Sequence, residues 1–239
     1  MTVVESAQRF GAAARTRRTK QWAALAVLLA VVAVAAWVVW FSALLTVKEV
    51  RVVGAVNLSA DSVRQAAAVP AGIQLARVGT DGIVERVAAL PRVASVEVRR
   101  GWPNVLVVVV TERRPLAVTR DGGGWTYLDV TGARFGSLTT VPRGMATLTA
   151  DNDTAMSSAI AVYAALPKPL AARVASVAAR TRDDVVVTLA DGTTVQWGDA
   201  SQSDRKAAVL AALLKVKAVS YDVSAPDLPT TRGTGSTKP

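Results

Sequence analysis

The sequence predicts an α+β protein in which one membrane-spanning helix precedes two mixed domains, and three observations carry that expectation. Trp22–Leu45 holds no charged residue, no Gly and no Pro between Lys20 and Lys48. Thr46–Pro115 reads as strand, helix, helix, strand, strand, so that helices cover one face of a small sheet. From Leu116 onward, alternating apolar runs are punctuated by Gly-rich turns and two helical patterns, the signature of a second mixed α/β domain built on an antiparallel sheet.

The apolar stretch is long enough to span a bilayer. At ~1.5 Å of rise per residue it makes a helix of about 36 Å, against a hydrocarbon core of about 30 Å. Arg9, Arg15, Arg17, Arg18 and Lys20 precede it against a single acid, Glu5, whereas Lys48, Glu49 and Arg51 follow as a mixed set. The positive-inside rule therefore places residues 1–21 in the cytoplasm as a basic tail and the chain after Leu45 outside it. Trp22 at one boundary and Trp37, Trp40 and Phe41 toward the other suit an interfacial aromatic belt. Ala33 and Ala35 offer a small-x-small cleavage pattern, but apolar sequence continues well past that point, which favours an uncleaved anchor over a signal peptide.

Composition excludes much chemistry. The chain has 239 residues, no Cys and no His. Disulfides, thiolate or imidazole metal sites, and Ser-His or Cys-His nucleophile pairs are all ruled out. A net charge of +10 invites a nucleic-acid reading, but no basic stripe is interleaved with aromatic residues, so the expectation is no nucleic acid, no small-molecule substrate, no cofactor and no metal.

Within the first domain, Val47–Val53 alternates as a strand. Ser59 is placed to N-cap a helix with Asp61 in its first turn, and Pro70 and Gly72 end it. A second helix begins at Thr80 or Asp81, carries Ile83, Val84, Val87 and Leu90 on its apolar face, and stops at Pro91. The strands Val93–Arg99 and Val105–Glu112 are joined through Arg100-Gly101-Trp102-Pro103-Asn104, where Pro103 fixes the backbone and Trp102 is expected to close the sheet end. Glu112, Arg113 and Arg114 lie where one domain gives way to the next, and suit either a salt bridge or a solvated charge run.

The run Leu90–Val118, LPRVASVEVRRGWPNVLVVVVTERRPLAV, resembles the signature of the FtsQ/DivIB family of bacterial cell-division proteins. It carries Leu-Pro-x-Val, the basic-x-Trp-Pro turn, the alternating strand and Glu-Arg-x-Pro, so Pro91, Trp102, Pro103, Glu112, Arg113 and Pro115 form the structural motif. The resemblance implies a POTRA domain (β-α-α-β-β) over 46–115 behind the anchor at 22–45. It further implies an FtsQ-type β domain over 116–229, leaving 230–239 as a disordered tail. It implies a non-enzymatic divisome scaffold in the cell membrane, concentrated at the septum, that recruits FtsB, FtsL and other division proteins.

In the second domain, Gly122-Gly123-Gly124 is a hairpin tip, and YLDVTGARF, Tyr127–Phe135, is similar to an aromatic-x-Asp-x-x-Gly-x-x-Phe hairpin of the same family, with Asp129 capping a turn. Asp151-Asn152-Asp153 precedes a helix as its cap. Asp191-Gly192 suits a two-residue hairpin that opposes Leu189 to Thr194 and Val187 to Gln196. A helix from about Ser201, with Asp204 three residues on as a capping-box-like pair, presents Ala207, Leu210, Leu213 and Leu214 on its apolar face. The final strand, Ala218–Ser224, turns Val219, Tyr221 and Val223 one way, and a terminal strand is often an edge open to strand addition. Tyr221-Asp222-Val223 followed by Pro226 resembles the family's C-terminal motif, which implies FtsB binding at Ser220, Tyr221, Asp222, Val223, Ser224, Ala225 and Asp227. Two other classes remain open: a POTRA-type chaperone or translocation module, and a membrane-anchored cell-wall hydrolase using Ser62 or the Asp183-Asp184 pair.

Overall fold

The structure, a computed structural model, describes residues 7–41 and 45–233. Helix α1, Ala7–Phe41, starts well before the expected span, so the basic stretch read as a tail is helical in its backbone from Ala7. Within it, Trp22–Trp40 is long and apolar enough to cross a membrane, and none of that window is buried. Residues 42–44 of the expected span and the tail from 234 lie outside the described residues. The chain divides into two compact units, Met1–Glu112 and Arg113–Pro239, three residues earlier than the sequence places the boundary.

The soluble part of the first unit comprises β1 (Glu49–Val53), α2 (Ala60–Ala67), a 3-10 turn (Leu75–Arg77), α3 (Thr80–Ala88), β2 (Val93–Gly101) and β3 (Val105–Glu112). Its three strands are ordered β1-β3-β2. Val-rich β3 is therefore central, parallel to β1 from Glu49↔Val105 to Val53↔Val109 and antiparallel to β2. Leu106, Val108 and Val110 alternate into a core completed by Val63 and Ala67 of α2, Ile83 and Val87 of α3, and Leu75. Ser59 caps α2 by accepting from the Ser62 amide. Gly54 follows β1 at φ +88°, where a Cβ would lie 2.1 Å from the Val110 carbonyl oxygen. Only glycine fits there.

The second unit holds β4 (Ala117–Asp121), β5 (Gly124–Leu128), β6 (Arg134–Leu138), β7 (Thr147–Ala150), α4 (Asp153–Ala165), α5 (Lys168–Ala171), β8 (Val174–Thr181), β9 (Asp184–Leu189), β10 (Thr194–Gly198), α6 (Ser203–Leu213), β11 (Ser220–Asp222) and β12 (Thr230–Arg232). These strands form one sheet of nine, ordered β12-β11-β10-β9-β8-β7-β4-β5-β6. It is mixed: β7 runs parallel to both β4 and β8, and β10 runs parallel to β11 across the α6 crossover. Trp197, Leu128, Leu148, Val177, Val187 and Leu210 sit in the core.

Four local expectations are corrected. The Asp191-Gly192 turn is not a two-residue connection. Leu189 donates to the Thr193 carbonyl at 2.8 Å, leaving Ala190, Asp191 and Gly192 in the loop, with only Gly192 at positive φ. That is the three-residue hairpin whose last loop residue is left-handed. It opposes Val187 to Val195, both buried, instead of setting Val187 against Gln196. Ser201 does not cap α6, because its hydroxyl donates to Asp199 and Gln202 occupies the cap position in left-handed conformation. Val219 does not share the buried face of Tyr221 and Val223, since the strand proper starts one residue later and Val219 is left exposed. Finally, Thr230–Arg232, read as the start of a disordered tail, is a strand that pairs antiparallel with β11.

Candidate functional site

The predicted partner-binding residues lie at one end of the nine-stranded sheet, and local chemistry fixes each of them. Val223 donates to the Gln196 carbonyl at 3.0 Å, and Gly198 at φ +77° lets the Ser224 side chain approach where a Cβ would stand 2.9 Å away. Tyr221 is buried. Its hydroxyl donates to the Val216 carbonyl at 2.5 Å and accepts from the Ala218 amide at 3.2 Å, tying down the link from α6. Asp222 accepts from the amide and hydroxyl of Ser224 at 3.0 and 2.6 Å, closing the strand with an Asx turn. Asp227 pairs with Arg205 of α6. Ser224, Ala225 and Asp227 are exposed, whereas Tyr221 and Val223 are not.

β11 is not the sheet edge. Its outer side pairs with β12 through Ser220↔Arg232, Tyr221↔Thr231 and Asp222↔Thr230. β12 spans three residues, all exposed, and Leu228 in the connecting loop is 80% exposed. The cover over β11 is therefore held by backbone pairing and one exposed ion pair, with no buried side chain of its own. The solvent side of these strands forms a polar depression of about 300 Å³ in which Gln196, Ser220, Asp222, Thr230 and Arg232 converge. Arg180, Asp184 and Gln196 extend the polar network along it, and hydrogen bonds from Gln196 and then Arg180 hold the Asp184 carboxyl below its usual range. A second depression of about 320 Å³ lies between α5 and α6, lined mainly by apolar groups of Pro167, Leu170, Ala207 and Leu214.

The motif residues resolve into separate roles. Pro91 follows the end of α3, where Val93 donates to the Leu90 carbonyl and starts β2. Trp102 does not close the sheet end as expected: it stands 53% exposed at the β2–β3 tip, joined to Pro103 by a cis peptide. Glu112 accepts from the amides of Val56, Asn57 and Leu58 at 2.6–2.8 Å and from the Asn57 side chain at 3.0 Å, within the first unit. Arg113 pairs at 2.6 Å with Asp129, within the second. Asp129, 4% exposed, also accepts from Thr131 and Ala133, which makes it a turn cap. Pro115 is exposed just ahead of β4. The residues weighed for hydrolysis are occupied otherwise. Ser62 belongs to the α2 cap, and Asp183 and Asp184 pair with Arg182 and Arg180.

Sequence reasoning missed Lys206. It lies on the inward face of α6, 1% exposed, and donates to the Asp199 carboxylate at 2.6 Å and to its carbonyl at 3.0 Å. Trp197 likewise donates to the Ser203 hydroxyl at 3.2 Å. Together these contacts lock the β10–α6 turn. A Lys beside the apolar positions of a helix gives no sequence signal of burial, because the long side chain ordinarily reaches solvent.

Comparison with known proteins places both units. A model of the POTRA domain, FtsQ-type, matches residues 45–113, and one of the cell division protein FtsQ/DivIB, C-terminal, matches 117–228. The second match ends before β12. The chain is 38% identical over 202 residues to a cell division protein FtsQ of Streptomyces bingchenggensis, covering 79% of this chain and 76% of that one. It is 37% identical over 206 residues to that of Streptomyces venezuelae, covering 80% and 76%. Against that of Mycolicibacterium smegmatis it is 37% identical over 196 residues, and there it spans 59% of the relative's length.

Proposed function

Because this chain belongs to the FtsQ/DivIB family of cell-division proteins, we propose that it is a non-enzymatic divisome scaffold. It is held in the cell membrane by Trp22–Leu45, with its N-terminus in the cytoplasm and both soluble units outside. It gathers FtsB, FtsL and other bitopic division proteins at the septum. The sequence regions take the roles of basic tail (1–21), anchor (22–45), POTRA domain (46–115) and FtsQ-type β domain (116–229). The absence of Cys and His from the whole sequence supports a role without covalent chemistry.

One observation carries the binding part of this reading: the sheet ends at β11 and β12, where a short exposed strand is the only cover over the motif strand among the described residues. A strand of FtsB adds at this end, meeting Ser220–Asp227 and the polar groove beside them. Strand addition draws affinity from backbone groups and specificity from the flanking side chains. A single POTRA match gives less support to the chaperone or translocation reading, which expects a series of such repeats.

The test is photocrosslinking in dividing cells from full-length protein carrying probes at Ser220, Asp222, Thr230 and Arg232. Capture of FtsB from these positions, together with filamentous or branched cells on depletion, is the expected result. Crosslinks arising only from the first unit move the interface there, and normal septation on depletion overturns the divisome role.

A further inference from the structure

We propose that the β2–β3 hairpin tip, Trp102 with Pro103 and Asn104, is a second membrane contact, seated in the lipid headgroup interface on the side where α1 emerges. The proposal rests on α1 being a membrane span.

Strand direction sets the location of the tip. β1 begins at Glu49 and runs parallel to β3 from Val105, so the turn preceding Val105 lies at the end of the sheet where the chain arrives from α1. Lys48 and Glu49 donate to the Asn104 carbonyl at 2.9 and 3.4 Å, fixing the arriving chain to the turn itself. Only six residues separate Phe41 from Lys48, seven Cα-to-Cα steps along the chain. Fully extended, they reach about 25 Å.

A second set of contacts leads to the same place. The Arg77 guanidinium lies 5.7 Å from the centre of the Trp40 ring at the outer end of the apolar window. Arg100 donates to the Leu75 carbonyl at 3.0 Å and to the Val78 carbonyl at 2.7 Å, on either side of Arg77. Trp102 is two residues beyond Arg100. The end of the anchor, the 3-10 turn and the hairpin tip thus form one connected patch.

The chemistry of that patch suits a lipid interface. An indole with an apolar body and a polar N–H is the side chain enriched at headgroup depth. Lys48, Arg77 and Arg100 beside it favour anionic phosphate groups.

The absence of Cys makes single-site labelling clean. Full-length protein with a nitroxide at Asn104→Cys, Val56→Cys or Ala33→Cys is reconstituted in nanodiscs of phosphatidylglycerol and phosphatidylethanolamine. Collision with oxygen and with an aqueous nickel complex is then measured. Val56 is 85% exposed at the opposite end of the sheet and reports bulk water. The expected result is a label at Asn104 several-fold less accessible to nickel and more accessible to oxygen than one at Val56. Trp102→Ser abolishes the difference and Trp102→Phe retains most of it. Equal aqueous accessibility at Asn104 and Val56, with the Ala33 label deep, overturns the hairpin contact alone. Protection at Asn104 from both reagents means a protein contact and overturns it too. An aqueous Ala33 label overturns the span and the proposal with it.

Discussion

Glu112 ends β3 with a carboxylate that gathers the amides of Val56, Asn57 and Leu58 and so holds the loop leading from β1 to α2. Desolvation pushes its pKa up, but the hydrogen bonds from Leu58, Val56 and Asn57 together outweigh that and hold it at about 2. A carboxylate depressed in this way stabilises the fold fully above its unfolded value of about 4.3. The contribution is lost as pH falls from there through about 2. Glu112→Gln keeps the shape and removes the charge, and is expected to cost about 1–3 kcal/mol near neutral pH. Thermal unfolding of the full chain in detergent at about pH 6 and about pH 2.5 checks this: the gap between the two proteins should narrow in acid. A gap that does not change with pH contradicts the assignment. That Glu112 matters was legible in the Glu-Arg-x-Pro motif, whereas its partners were not. They lie more than fifty positions away, and no local pattern connects a strand's last residue to a distant loop. Asp129 was legible as a turn cap because its acceptors' partners, Thr131 and Ala133, are its neighbours. Its fourth contact, Arg113, was not.

Elements show the same division between local and distant information. Ser59 and Asn152 cap α2 and α4 as their side-chain chemistry requires, and apolar periodicity marks the helices and the central β3. β7 gave no signal: Thr147–Ala150 is four residues long, yet lies between β4 and β8 with Leu148 fully buried. Its strand character comes from its neighbours on both sides, not from alternation. β12 was hidden for a related reason, since Thr230–Arg232 buries nothing and is defined by pairing alone. Ordering its backbone costs about 1–2 kcal/mol per residue. Each ladder bond returns only about 0.5–1.5 kcal/mol. Its closed and open forms are therefore close in free energy, and a competing strand meets little resistance at β11. Truncating the chain after Leu228 should leave the unfolding midpoint nearly unchanged while raising FtsB crosslinking from a probe at Asp222. A marked drop in midpoint, or loss of that crosslink, would instead make β12 an integral strand of the binding edge.

For the whole molecule, the proposed scaffold divides its work: the anchor sets location and the C-terminal sheet end makes the recognition. Within α1, Trp22–Trp40 is an uninterrupted apolar stretch with no charged residue. A tether of this kind confines the soluble units to a thin layer shared with other bitopic proteins and raises their effective concentration, so contacts weak in solution assemble in the membrane. On the proposed reading, recognition at β11 draws on backbone groups and on side chains of the second unit alone. Replacing Trp22–Phe41 with an unrelated span of equal length and orientation should therefore preserve FtsB capture at Ser220–Asp227. Releasing the soluble chain without any span should weaken capture by about 10²–10⁴-fold, the gain that tethering ordinarily supplies. Substitutions that break the β10–β11 pairing, such as Tyr221→Pro, should abolish capture even with the native anchor in place. If the unrelated span loses capture while the chain still reaches the membrane, helix–helix contacts within the bilayer carry part of the recognition. The exposed face of α1 would then belong to the binding site.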